Sequence, residues 1–265
     1  MTAVDRLGAR VLAGVRTASF LVGFLYLSAK MLWVGRHQGP REVLREVLLQ
    51  VYFTGVQGLV PVAALAVVMG VLAMAWGFAA VGPLTGGEEL GRLIVLVVLG
   101  EVAPLLTAGV VLVRSATAIA AELAVMRVQR EIEALEVMGI SPMLHLVSPR
   151  LVGGLVALVA LNVVFAVVAV TTGLAVTAWM PKGAPLAVIN ALWGALTPEG
   201  FLVLGGKVVV GGLGFFVIAC YHGMEASSSP TDVPVAVSRA ALRGLVFLVV
   251  WQAGVSLGVL WGRGL

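Results

Sequence analysis

The stretch that decides the fold is residues 151–179, LVGGLVALVALNVVFAVVAVTTGLAVTAW, which holds 29 residues without a lysine, arginine, aspartate or glutamate. A helix needs about 20 apolar residues to cross the roughly 30 Å hydrocarbon core of a bilayer, so this stretch can span a membrane. It lacks the alternation of polar and apolar residues that a strand of an outer-membrane barrel shows. The stretch therefore predicts a transmembrane helix.

The composition extends this prediction to the whole chain. Hydrophobic residues make up 60% of the 265 residues and charged residues only 11%, whereas soluble domains carry about 25% charged residues. Further apolar stretches predict spans near 52–81, 93–113, 201–221 and 244–262. The predicted fold is an all-α integral membrane protein with about five transmembrane helices, in a single domain over residues 1–265.

Two shorter apolar segments are too short to cross a bilayer comfortably. Residues 17–29 lie between Arg16 and Lys30 and predict an N-terminal interfacial helix within a region 1–45 that precedes the bundle at 46–265. Residues 184–196 lie near Trp179 and Trp193 and favour a re-entrant or interfacial piece, with a sixth span as the alternative.

The basic residues predict the orientation. Thirteen of the 17 lysines and arginines fall on one side: seven before the first predicted span, four between spans two and three, and two before span five. The positive-inside rule therefore places the N-terminus and the segment between spans two and three in the cytoplasm, and the C-terminus outside. The net charge of +4 reflects this topology and gives no reason to expect nucleic acid as a partner.

The only dense run of charge lies between Arg114 and Arg150, and we call this segment the charged island. Its centre predicts a short amphipathic helix, because apolar residues recur there at helical spacing while acidic residues point elsewhere. The apolar positions are Val128, Ile132 and Leu135; the acidic ones are Glu131, Glu133 and Glu136. Gly139 and Pro142 are expected to end the helix. Such a helix either rests on the membrane surface or docks onto a partner.

Several chemistries are not indicated. The chain has no phosphate-binding G-x-x-x-x-G-K-[ST] loop, so it is not predicted to hydrolyse nucleotide itself. Its three histidines are far apart, and the single cysteine, Cys220, has no second cysteine for a disulfide or a metal site.

Glu101 and Lys207 are the only aspartate, glutamate, lysine or arginine residues within the predicted spans. Burying either one unpaired is costly, so both should face protein, water or a polar ligand. Two interpretations stay open: a salt bridge between spans two and four, and a polar lining for a transport route. Alanines at positions 116, 120 and 124 form a small-residue edge, for contact either within the chain or across a dimer.

The charged island and the segment before it resemble a known family. Glu133-Ala134-Leu135 followed by Gly139 is similar to the E-A-A-x-x-x-G loop of ABC importer permeases, a cytoplasmic helix that docks into an ATPase subunit. Together with GEVAP at 100–104, EIEALEVMG at 131–139 and SPR at 148–150, the pattern resembles the MlaE/YrbE permease family. The likeness is strong across residues 95–155 and weaker over most of the remaining chain.

The resemblance implies a non-catalytic permease subunit in a bacterial inner membrane, with a cytoplasmic N-terminus and a periplasmic C-terminus. It implies transport of phospholipid or a related lipid between that membrane and a conduit of MCE proteins. The implied partners are two copies of an ABC ATPase, which bind ATP and Mg, a hexameric MCE ring, a second copy of this chain and, in some systems, a small STAS-type regulatory subunit. No cofactor is expected in this chain.

The resemblance also implies roles for individual residues. The ATPase-coupling set comprises Arg130, Glu131, Glu133, Ala134, Leu135, Glu136, Met138 and Gly139. Glu101 and Lys207 are implied to line a lipid cavity. One departure lies beside them, because the family often has Arg-Glu-Leu-Gly-Pro where this chain has Gly100 before Glu101.

Two rival classes remain at this point. An ATP-independent secondary transporter or channel would use the Glu101 and Lys207 charges directly, although no inverted repeat with interrupted segments is visible. A structural scaffold would use the charged island for assembly and would move no lipid.

Overall fold

The structure is a computed structural model that describes residues 40–81, 95–179, 185–195, 197–227 and 229–262. The interfacial helix predicted at 17–29 lies outside these residues. The described residues are helical and contain no strand, which confirms the predicted all-α class.

Five long apolar helices could cross a membrane, as predicted. We number them spans one to five: Leu44–Gly77, Leu96–Val128, Met143–Trp179, Pro198–Met224 and Asp232–Gly262. They are built from α1 (Pro40–Val51), α2 (Gln57–Val81), α3 (Ala103–Val111), α4 (Thr117–Val128), α6 (Ser148–Trp179), α8 (Pro198–Met224) and α9 (Asp232–Gly262). The short helices α5 (Glu131–Val137) and α7 (Pro185–Ala195) complete the described structure.

Four π-helical segments continue the spans without a break in the helix. They are Tyr52–Val56 in span one, Val95–Val102 and Leu112–Ala116 in span two, and Met143–Val147 at the start of span three. In a π turn the backbone bond skips one residue further than in an α-helix, so each segment widens its helix locally; such turns are frequent at functional sites.

The helices extend well beyond the apolar stretches that predict them. Span two is the clearest case, since its helix continues past the predicted end at residue 113 to Val128. Arg114, Glu122 and Arg127 therefore belong to a helix and not to a loop. Spans three and five likewise begin before their apolar stretches, at Met143 and Asp232. The charged residues therefore mark the end of the apolar stretch but not the end of the helix.

The five spans alternate in direction, so the bundle has two distinct ends. We call the end that carries α5 the island end; residue 40 lies there, and residue 262 lies at the opposite end. Helix α7 has 11 residues, about 16 Å in length, so it cannot serve as a sixth span. Its buried Val188 packs beside Met74 of span one and Gly173 of span three.

Small residues let the spans approach closely inside the chain. Ala116, Ala120 and Ala124 are buried, and a Cβ added to Gly223 of span four would lie only 2.8 Å from the carbonyl oxygen of Ala120. The alanine edge therefore serves an intrachain contact between spans two and four.

Gly70 lies where span one packs tightly against span three. A Cβ at this position would lie 2.3 Å from the backbone oxygen of Ala169 and equally close to the Thr172 hydroxyl. We expect Gly70→Ala to force the two spans apart and lower stability by about 1–3 kcal/mol, as overpacking does. A thermal melt in detergent measures the loss.

Gly109 supplies the matched control, because a Cβ there meets no atom within 4 Å. Gly109→Ala should leave stability unchanged or raise it by up to about 1 kcal/mol through helix propensity. Equal melting temperatures for the two variants would contradict the tight contact at Gly70.

Candidate functional site

A polar network joins spans two, four and five within their apolar surroundings. The Lys207 ammonium donates hydrogen bonds to the Glu101 carboxylate at 2.6 Å, to the Ser256 hydroxyl at 2.9 Å and to the Gly100 carbonyl oxygen at 3.1 Å. An ammonium group has three N–H donors, and here each has an acceptor. The structure thus contains the salt bridge between spans two and four, which is one of the two interpretations that the sequence leaves open.

The two charges of this pair differ sharply in exposure. The Lys207 side chain is 2% exposed, whereas the Glu101 side chain is 47% exposed. The Ser256 hydroxyl lies 2.6 Å from the second carboxylate oxygen of Glu101 and 2.8 Å from the Gln252 carbonyl oxygen. Lys207 is therefore buried inside the bundle, and its hydrogen bond holds the Glu101 carboxylate at the surface of the chain.

Local structure positions Glu101 for this role. It lies in the π segment Val95–Val102, which is followed directly by the regular helix α3, with Pro104 as the second residue of that helix. Gln252 lies one helical turn before Ser256, and its side chain is buried. Among the described residues, no hydrogen bond is made by either the nitrogen or the oxygen of its side-chain amide. A buried unsatisfied amide is unfavourable in an apolar bundle, so this part of the network can accept a polar ligand or water.

The short amphipathic helix predicted within the charged island is present as α5, between two residues with positive φ. Arg130 before it has φ of 60°, and Gly139 after it has φ of 76°. The Gly139 amide donates to the Glu136 carbonyl oxygen at 3.0 Å and the Ile140 amide to the Leu135 carbonyl oxygen at 2.9 Å, the Schellman pair of bonds that ends a helix. Gly139 thus ends the helix as predicted.

The faces of α5 divide into one held by the bundle and one left open. Ile132 is buried and Leu135 is partly buried against the core. Glu133 pairs with Arg127 of span two at 3.7 Å, so the chain itself already uses this carboxylate. The open side carries five residues of the predicted coupling set and one residue outside it: Arg130, Glu131, Ala134, Glu136 and Met138 from that set, and Val137 in addition.

Val137 was not singled out by the sequence, yet it is 89% exposed, and Met138 is 64% exposed. Two apolar side chains projecting from a short charged helix form the kind of anchor that a partner groove buries.

The two predicted sets of site residues are not brought together. Glu101 and Lys207 lie towards the opposite end, whereas α5 caps the island end, and 27 residues of one continuous helix separate Glu101 from Val128. At 1.5 Å per residue this distance is about 40 Å. One set therefore lies within the apolar spans, and the other lies at the island end of the bundle.

Five apolar spans, an ion pair between them with one buried partner, and an exposed amphipathic helix at one end are typical of a multi-pass membrane protein of the permease class. The family described as Permease MlaE matches residues 47–257, which is most of the chain. The chain belongs to this family.

Similar proteins agree with that assignment. A probable ABC transporter permease protein of Rickettsia felis is 24% identical over 213 residues, covering 80% of this chain and 82% of that protein. The intermembrane phospholipid transport system permease protein MlaE of Haemophilus influenzae is 25% identical over 124 residues, covering 47% of this chain and 48% of that protein.

Proposed function

We propose that this chain is the membrane-spanning subunit of an ABC transporter that moves phospholipid or a related lipid between the bacterial inner membrane and an MCE-protein conduit. Family membership and the Haemophilus relative's name support this proposal. The observation that carries it is the Glu101 carboxylate, half exposed on an apolar span and held there by a buried lysine. Such a group can meet the polar part of a lipid while the surrounding apolar wall meets its chains.

The energy would come from a separate ATPase, present in two copies, that binds ATP and Mg and docks on α5. We propose that a second copy of this chain completes the cavity, because the fifth span leaves most of its apolar surface uncovered in the single chain. In this arrangement the island end faces the cytoplasm and the opposite end meets a hexameric MCE ring. A small STAS-type subunit would be an accessory.

The experiment that tests this function reconstitutes the chain with its ATPase and MCE partners in proteoliposomes that contain fluorescent phospholipid. Lipid should leave the vesicles only when ATP is present, and a hydrolysis-deficient ATPase should stop it. ATP-independent lipid movement by the chain alone would instead favour the secondary transporter, which would rely on Glu101 and Lys207 directly. A stable complex that moves no lipid under any condition would favour the scaffold.

A further inference from the structure

A second polar site lies at the island end, away from the Glu101 network. It is a cleft of about 420 Å³ between spans one, two and three, within the volume range typical of ligand pockets. Its charged lining comprises Glu46, Arg114, Glu122 and Arg150, with His145 beside them. Apolar side chains, among them Leu49 and Phe53, line the rest.

Three of the four π segments meet at this cleft. Phe53 and Thr54 come from the segment in span one, Arg114 and Ser115 from the second segment of span two, and His145 from the segment that begins span three. The fourth π segment carries Glu101. Wide turns from three separate helices therefore line one cavity, and such turns are frequent at functional sites.

Two of the four charged side chains in the cleft form an ion pair, and the other two have no ion-pair partner among the described residues. Arg150 lies 3.2 Å from Glu122 and also donates to the Leu146 carbonyl oxygen at 3.0 Å. Arg114 donates to the neutral amide oxygen of Gln57 at 2.7 Å, so its positive charge is not neutralised. Glu46 has no ion-pair partner among the side chains that the structure describes. Among the described residues, the cleft thus offers one cation, Arg114, and one anion, Glu46, without an ion-pair partner.

The position of Arg114 along span two indicates that the cleft lies near the membrane surface. Arg114 follows Leu96 by 18 residues, or about 27 Å along the helix, close to the roughly 30 Å thickness of the hydrocarbon core. Phe53 and Leu49 beside it are exposed, as lipid-facing side chains would be. The cleft therefore lies where headgroups of the leaflet at the island end are found.

We propose that this cleft binds the headgroup of a zwitterionic phospholipid with a primary amine, phosphatidylethanolamine being the simplest. Arg114 binds the phosphate, Glu46 binds the ammonium, and Leu49 and Phe53 contact the first part of the acyl chains. Paired opposite charges select a zwitterion, because an anionic headgroup would leave Glu46 unmatched and repelled. The site is separate from the Glu101 network by 13 residues, about 20 Å along span two.

The test uses the full chain in nanodiscs containing a trace of phosphatidylethanolamine with a photoreactive group near its phosphate, followed by mass-spectrometric mapping of the crosslinks. Crosslinks should fall on residues that line the cleft. Arg114→Gln and Glu46→Gln should each reduce them at least fivefold, while Arg114→Lys should retain most of the signal because it keeps the charge. Arg45→Gln is the matched control, since it removes a neighbouring cation that does not line the cleft.

Three results would overturn the proposal. They are equal labelling by a photoreactive phosphatidylglycerol, cleft labelling that survives both charge-removing variants, and complete competition by soluble O-phosphoethanolamine at equal concentration, which would exclude a need for the lipid. The assay contains no ATP and no partner protein. Its failure would therefore be distinguishable from a failure of ATP-driven transport.

Discussion

Lys207→Met will stop lipid movement and Glu101→Gln will do the same, but the two variants will differ in stability. Lys207→Met removes the buried charge and leaves a half-exposed carboxylate that water or a ligand can reach. Glu101→Gln leaves the buried ammonium with neutral acceptors alone, namely the new amide oxygen, the Gly100 carbonyl oxygen and the Ser256 hydroxyl. Leaving one partner of a buried pair unmatched costs about 3–5 kcal/mol, so Glu101→Gln should be the less stable variant. We expect its free energy of unfolding to fall by about 2–3 kcal/mol, because Glu101 is partly exposed in the wild type.

The double variant Glu101→Gln with Lys207→Met separates a structural role from a transport role. It removes both charges, so the melting temperature should return close to that of the wild type while lipid movement stays absent. Stability in detergent and ATP-dependent lipid release from proteoliposomes provide the two readouts. Normal transport by the double variant would mean that the pair serves only to hold spans two and four together.

The second large effect is expected at α5. Met138→Asp should prevent co-purification of the ATPase, because a charge would enter the apolar anchor that Met138 forms with Val137. Glu136→Lys should weaken the association and change its salt dependence, since Glu136 is exposed and has no ion pair among the described residues. Pull-down yield and lipid-stimulated ATPase activity measure both variants.

Glu133 should behave differently from Glu136 because it is already paired with Arg127. Glu133→Arg should disturb the seating of α5, and the added change Arg127→Glu should restore the pair and much of the coupling. Glu199→Lys, an exposed acid at the opposite end, is the control and should bind the ATPase normally. If Met138→Asp and Glu199→Lys retained the ATPase equally, α5 would not be its docking element.

The apolar runs located all five spans, because a membrane imposes the same length and the same lack of charge on each one. The ends of the helices were harder to locate. In span two the helix continues through Arg114, Glu122 and Arg127, where helix-forming residues persist after the apolar run has ended. Gly139 was correctly placed at the end of α5, since only a residue that tolerates positive φ fits there.

The candidate sites divide in the same way. Glu101 and Lys207 could be paired from sequence, because a charge inside a span needs a partner and only two were available. Ser256 carries no such signal, as a lone hydroxyl in an apolar run usually bonds its own helix. The cleft at the island end could not be found, because its lining comes from three helices up to about 100 positions apart and depends on π turns that leave no pattern in the sequence.

The close contact between Ala120 and Gly223 is a point about which span two can turn against span four. No side chain separates the two backbones there, so this is where one helix can bear directly on the other. Val128, beside α5, lies 8 residues or about 12 Å from this point, and Glu101 lies 19 residues or about 28 Å from it in the other direction. If span two turns as a rigid rod about this point, a 1 Å displacement beside α5 moves Glu101 by about 2.4 Å in the opposite direction. In the proposed transporter, a small movement of the ATPase against α5 would therefore produce a larger movement of the Glu101 charge.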